Sequence, residues 1–341
     1  MSPGLVFGIC GYSGSGKTTV ILELIRELST RGLRVGVVKH DTHGLTFDSE
    51  GKDSDRFFKA GADVLMRGPD QLFLRVHDRN ALTLEDTLKR MGPYFDIILV
   101  EGHKTTPLEN KIWLCGDTDE TPPPEAVNLR CVLKRTDDRV RIVLQMIDDW
   151  LPAAWGAVPL YAGILIGGRS TRMGRPKHLL EAGTQTWVER LVATVKGCVD
   201  RVVLLGSGDI PESLRALPKL CDVEDAQGPL RGQLAALRWA PFASWVFVSC
   251  DLPLFSEAAL RWLLGHRRPG VWAALPRHAG SGVIEPLFAY YDFRARPLLE
   301  ACQAPVQITS FPQVETPEIP PHLDSAWTNV NTVEDLALLS I

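Results

Sequence analysis

Apolar residues fall along this chain in two rhythms. Short, nearly unbroken runs at 5–10, 33–38, 97–100, 161–166, 202–205 and 246–250 alternate with stretches in which apolar positions recur every three or four residues. Runs of this length, flanked by polar and turn-forming residues, predict strands buried on both faces, as in a parallel sheet covered by helices. The intervening pattern is clearest at Val20, Ile21, Leu24, Ile25 and Leu28, which stripe one face of a helix that Gly32 is placed to end. The order strand, glycine-rich loop, helix occurs twice, beginning at Leu5 and again at Tyr161. The chain therefore predicts an α/β protein of two three-layer domains, residues 1–150 and 160–341. Residues 151–159, Leu-Pro-Ala-Ala-Trp-Gly-Ala-Val-Pro, read as the linker between them. The proline triplet 122–124 reads as an internal loop, because Cys131-Val-Leu after it still has the character of a strand.

Composition supports this division and excludes several classes. A length of 341 residues suits two domains of about 150 each. With 45% apolar and 23% charged residues, the chain has the balance of a packed globular protein rather than a disordered or fibrous one. The net charge is −4 and neither half is basic, which argues against nucleic-acid binding through phosphate neutralisation. No run approaches the roughly 18 apolar residues that span a bilayer. The start passes into a glycine loop without a charged preamble, so neither a membrane anchor nor a signal peptide is expected, and the expected location is the cytoplasm. The seven cysteines include no C-x-x-C pair, which predicts small apolar fillers rather than a disulfide or zinc framework.

Candidate chemistry begins at Gly11-Tyr-Ser-Gly-Ser-Gly16-Lys17-Thr18, which fits G-x-x-x-x-G-K-[ST] at every fixed position. Gly11, Ser13, Gly14, Ser15 and Gly16 would wrap backbone N–H groups around a phosphate chain, with Thr18 and Thr19 opening the following helix. Lys17 would reach the β- and γ-phosphates, and the Thr18 hydroxyl would ligate Mg²⁺. Glu101 ends the apolar strand 97–100 and is the expected second partner of that metal or its waters. His40 and His43 lack a third ligand and more readily line a loop, while Asp48 and Asp53 flank the same stretch. The guanine-reading N-K-x-D signature is missing, since Asn110-Lys111 continues Ile-Trp. The motif thus specifies a nucleoside triphosphate and leaves the base open.

The second half carries Leu165-Ile-Gly-Gly168-Arg-Ser-Thr-Arg172-Met-Gly174-Arg-Pro-Lys177. Gly167 and Gly168 allow backbone to approach a triphosphate closely, and Arg172 and Lys177 supply cations for a leaving pyrophosphate. Asp251, at the end of the strand 246–250, is the expected Mg²⁺ ligand. Asp222 with Gly228 and Gly232 would form a loop under base and ribose. Asn329 and Asn331 offer amides to a polar substrate, although Asn331 or Thr332 also suits the N-cap of a final helix.

The first half resembles the MobB family of GTP-binding adaptors in molybdenum-cofactor biosynthesis. The likeness rests on the P-loop, Lys39-His40-Asp41, Gly51-Lys-Asp-Ser-Asp-Arg56, Lys59-Ala-Gly-Ala62 and Val100-Glu-Gly-His-Lys104, with His103 where that family often has phenylalanine. The second half resembles the MobA family of molybdenum cofactor guanylyltransferases, through the glycine loop, Asp222 to Gly232, Cys250-Asp251-Leu-Pro253, Glu285-Pro-Leu-Phe288 and Asn329-Val-Asn331-Thr. It departs from that family at Ile166 and Arg231, where alanine is common. The resemblance implies a P-loop NTPase-like domain followed by a Rossmann-like nucleotidyltransferase domain. It implies that Leu165, Gly167, Lys177, Asp222 and Asp251 hold GTP and Mg²⁺, and that Asn329 and Asn331 face molybdopterin; Ile166, Gly168, Gly228 and Gly232 are further candidate nucleotide-binding positions. It further implies transfer of GMP to the terminal phosphate of molybdopterin by the second half. The first half is expected to act as an adaptor to molybdoenzyme apoproteins and their chaperones, or as a slow GTPase. A homodimer is compatible with this reading. Cytidylyl transfer, or another nucleotidyl transfer beside a P-loop NTPase, remains the alternative.

Overall fold

The computed structural model describes residues 5–40, 49–79, 82–117, 121–167, 176–330 and 335. Strands β1 (Val6–Cys10), β2 (Val35–Lys39), β5 (Ile97–Glu101), β6 (Lys111–Leu114) and β7 (Leu129–Leu133) form an all-parallel sheet in the order β2-β5-β1-β6-β7. Helix α1 (Lys17–Thr30) turns Val20, Ile21, Leu24 and Leu28 onto one face of this sheet, as their spacing predicts. The other face is covered by α3 (Leu84–Met91), through Leu88. A side unit of α2 (Asp53–Lys59) and the antiparallel ribbon β3 (Val64–Arg67) and β4 (Leu72–Arg75) leaves Leu65, Leu72 and Leu74 exposed.

Helix α4 (Arg139–Gly156) joins the two halves and corrects the reading of 151–159 as a linker. The helix continues through Pro152 because its inner face carries Val143, Ile147 and Leu151 into the first core and Trp155 into the second. An interior proline costs about 3 kcal/mol, whereas burying a leucine and a tryptophan together contributes more than that. Only residues 157–159 separate the helix from the next strand.

That strand, β8 (Leu160–Leu165), is central to a seven-stranded sheet, with β9 (Glu181–Ala182) and β10 (Gln185–Thr186) forming a small ribbon beside it. Helix α5 (Trp187–Val195), β11 (Arg201–Leu205), β12 (Lys219–Leu220), α6 (Leu230–Trp239), β13 (Ser244–Ser249), α7 (Glu257–Leu264), β14 (Ala273–Ala274), β15 (Phe288–Tyr291), α8 (Arg296–Glu300) and β16 (Val314–Glu315) complete it. The sheet order is β12-β11-β8-β13-β15-β14-β16, parallel except where β15 runs against β13 and β14. Both halves are three-layer α/β units. The seven cysteines form no disulfide; Cys10, Cys115 and Cys250 are buried, but Cys221 is exposed rather than a core filler. No helix among the described residues is long and apolar enough to cross a membrane.

Candidate functional sites at the two strand ends

The loop after β1 is held from behind by cations. Gly16 adopts φ 87°, a left-handed conformation open to glycine at little strain, and so turns the chain into α1. Lys17 Nζ donates to the carbonyls of Gly11 (3.0 Å) and Tyr12 (2.8 Å). Arg139, which the sequence motif did not single out, donates from Nη1 to Ser15 O (2.7 Å), from Nη2 to Cys115 O (2.6 Å) and Leu133 O, and from Nε to Lys134 O (2.8 Å). Arg135 Nη1 reaches Gly14 O at 3.1 Å. Burial lowers the affinity of Arg139 for its proton, yet the carbonyls solvate the guanidinium. A planar peptide whose carbonyl is engaged on one side offers its N–H on the other, so these contacts prepare a concave anion site.

Parallel pairing of Ile9 with Glu101 brings that carboxylate to the same edge. Thr18 and Thr19 are exposed on the first turn of α1. His103, at φ 54°, lies with its ring 5.1 Å from that of His40; burial, then the His40 charge, lowers its pKa. Asp53 does not join this group: it opens α2 and faces Arg56 at 3.8 Å. Asp41, His43 and Asp48 lie outside the described residues, among which no cluster of three or more metal-binding side chains occurs. Lys111 is a structural residue, fully buried with Nζ donating to Lys104 O (2.8 Å) and Thr106 O (2.6 Å).

The second site gathers at the carboxyl ends of β8, β11 and β13. Gly206 comes so close to Gly167 that a Cβ there would stand 2.8 Å from Gly167 N. A Cβ on Gly232 would meet Leu165 Cδ2 at 3.0 Å and Asp222 Oδ1 at 3.5 Å, and one on Gly167 would lie 3.9 Å from Asp222 Oδ2. Leu165, Gly167, Asp222 and Gly232 therefore converge at these strand ends. Ile166 is buried, its N–H bound to Leu205 O, so its side chain packs into the core instead of crowding this surface. Gly228 accepts from the Arg231 N–H, and Arg231 Nε donates to Val223 O at 2.8 Å, tying the loop closed.

Lys177 Nζ stands 3.4 Å from Asp251 Oδ2, while Asp251 Oδ1 is buried and, among the described residues, accepts no hydrogen bond. Burial, then the Asp251 charge, pushes the neighbouring Cys250 thiol up to about 12, so it stays protonated and is no nucleophile. The Val330 N–H donates to Asp251 O, bringing Asn329 alongside. Glu285 faces the Asp251 charge, accepts from Asn329 and pairs with His278 at 3.5 Å, and burial raises its pKa. His278 is in turn 2.6 Å from Asp324. The sequence reading included Glu285 in a motif without assigning it a place, and His278 and Asp324 carry no motif. Gly168, Arg172 and Asn331 lie outside the described residues.

Comparison with known proteins agrees with this division. The profile described as "Molybdopterin guanine dinucleotide synthesis protein B" matches residues 6–133, and that of the "MobA-like NTP transferase domain" matches 162–312. A molybdopterin-guanine dinucleotide biosynthesis adapter protein of Haemophilus influenzae is 34% identical over 165 residues, covering 45% of this chain and 92% of that protein. A probable molybdenum cofactor guanylyltransferase of Pelotomaculum thermopropionicum is 32% identical over 188 residues, covering 51% of this chain and 88% of that protein. A molybdenum cofactor biosynthesis bifunctional protein of Synechocystis is 28% identical over 184 residues, covering 52% of each.

Proposed function

Because the chain belongs to the MobB family through its first half and to the MobA family through its second, we propose that it makes molybdopterin guanine dinucleotide from GTP and molybdopterin and presents it for insertion. The domains on this reading are 1–150 and 160–341. The observation that carries it is the Lys177–Asp251 pair with its bare, buried carboxylate oxygen, set beside the glycine-lined surface of Gly167, Asp222 and Gly232. A hard-oxygen donor left unpaired in a buried position suits a divalent cation, and Asp251 would hold Mg²⁺ there. Thr18, on the first turn of α1, and Glu101, at the end of β5, offer a hydroxyl and a carboxylate of the same donor type in the first half.

The acceptor phosphate of molybdopterin is already an anion, so no general base or covalent intermediate is needed. One of its oxygens attacks the α-phosphorus of GTP in line; the bond to the β-phosphate breaks and pyrophosphate leaves with its electron pair. The backbone at Gly167 and the loop from Asp222 to Gly232 orient the nucleotide, and Asn329 orients the pterin. Lys177, with Arg172 by family resemblance, balances charge on the departing pyrophosphate. Mg²⁺ held by Asp251 would supply charge neutralisation to the phosphates. The first half holds GTP on its P-loop as an adaptor to molybdoenzyme apoproteins and their chaperones.

The test is pyrophosphate release with Mg²⁺, molybdopterin and GTP, CTP or ATP in turn. Release with GTP alone, and only when the pterin is present, is the expected result. A preference for CTP would keep the mechanism and change the product; no release with any of the three would overturn the assignment.

A further inference from the structure

The two halves meet through the ends of their sheets that carry no phosphate loop. On the first half the meeting residues precede the strands: Leu33 and Arg34 before β2, and Phe95 and Asp96 before β5. On the second half they are Trp155, Gly270, Trp272, Asp292 and Arg294, at the edge where β13 begins and antiparallel β15 ends. Asp96 is fully buried, accepting from the Trp272 indole (2.7 Å) and from Arg34 N (2.7 Å). Arg294, also fully buried, donates to Phe95 O (2.8 Å) and pairs with Asp292 (2.7 Å), its guanidinium 4.1 Å from the Trp155 ring centroid. The Arg34 guanidinium lies 5.1 Å from the Trp272 ring.

We infer that this clasp makes the chain one rigid body with its two nucleotide sites at opposite poles, so that product made at Asp251 reaches the P-loop half only by leaving the chain. Each site lies at the carboxyl end of its sheet, and the sheets abut at their other ends. Strands β1 and β8 have 5 and 6 residues, which at roughly 3.3 Å per residue puts on the order of 35 Å between the sites. A flexible tether could bring the poles together, but none is present: α4 is shared by both cores, and only 157–159 connect it to β8. Opening the clasp would also expose buried tryptophans and separate groups that satisfy one another's hydrogen bonds. The geometry stands independently of substrate identity, whereas the statement about product rests on the proposed function.

Two measurements test it. Spin labels on the exposed native Cys221 and on Asp117→Cys, with the other cysteines replaced, report the pole-to-pole distance. One narrow distribution centred beyond roughly 35 Å is expected, and a broad or short one overturns the rigid body whatever the chain's activity. A Trp272→Ala variant should broaden it. For the product, the intact chain is run on labelled GTP and molybdopterin with a molybdoenzyme apoprotein present. Adding roughly a hundredfold excess of unlabelled molybdopterin guanine dinucleotide should then cut the label entering the apoprotein about a hundredfold. Undiminished label would mean internal transfer and overturn the inference, whereas an absence of pyrophosphate release would instead count against the proposed function.

Discussion

The two poles treat their cations differently. At the P-loop, Lys17, Arg135 and Arg139 face backbone carbonyls of the loop or its supports. At the second pole, Lys177 faces a carboxylate that retains one bare, buried oxygen. The first arrangement stiffens a shape, as suits a site whose work is to hold a nucleotide. The second keeps opposite charges close without satisfying both oxygens, as suits a site that must stabilise charge created during a reaction. The two sites therefore differ in what their cations face: backbone carbonyls at the first, a carboxylate at the second.

The contrast can be broken most sharply at Asp251. Asp251→Ala should lower GTP-dependent pyrophosphate release about a thousandfold or more, while Lys17→Ala should leave it within about twofold and abolish nucleotide binding in the first half. Equal loss in both variants would show that the poles are coupled. Trp272→Ala attacks what they share: calorimetry should show a loss of about 3–5 kcal/mol and the single unfolding transition splitting in two. Arg139→Ala leaves several carbonyls without their donor. It should cost the first half about 2–3 kcal/mol in urea unfolding and weaken its nucleotide binding, with transfer at the other pole unchanged. The smallest effect concerns His178, which is buried with its Nε2 2.7 Å from Asp209 O. Burial depresses its folded pKa below 6.5, so the unfolded chain takes up the proton first as pH falls. Its contribution is full above about pH 6.5 and is lost as pH drops towards the lowered value. Melting temperatures followed downward from neutral pH should therefore fall less in His178→Gln than in the wild type.

Strands, and the glycine-rich turn into α1, were legible in the sequence because each depends on local pattern: an unalternating apolar run, or glycines at fixed spacing. Helix α4 was misread at its end because Pro152 is a local breaker, and the burial of Trp155 that overrides it involves the other half of the molecule. Arg139 was missed for a related reason, since the carbonyls it gathers belong to three separate loops. Asp96 and Arg294 look in sequence like ordinary surface charges. Only the meeting of the two sheet ends shows them as buried partners. Glu285 lay inside a recognised motif, but its company with His278, Asp324 and Asn329 comes from the segment 278–285 meeting the distant segment 324–329.

The helix that passes from one core into the other has a consequence for how such a chain could arise or change. In an α-helix each added residue rotates the chain beyond it by about 100° and advances it about 1.5 Å. A single insertion between Ile147 and Trp155 would swing Trp155 away from its pocket, whereas three or four residues would restore its direction at the cost of about one turn of translation. Lengths at this junction should therefore vary among relatives in steps of a helical turn, leaving a period in the insertions and deletions themselves.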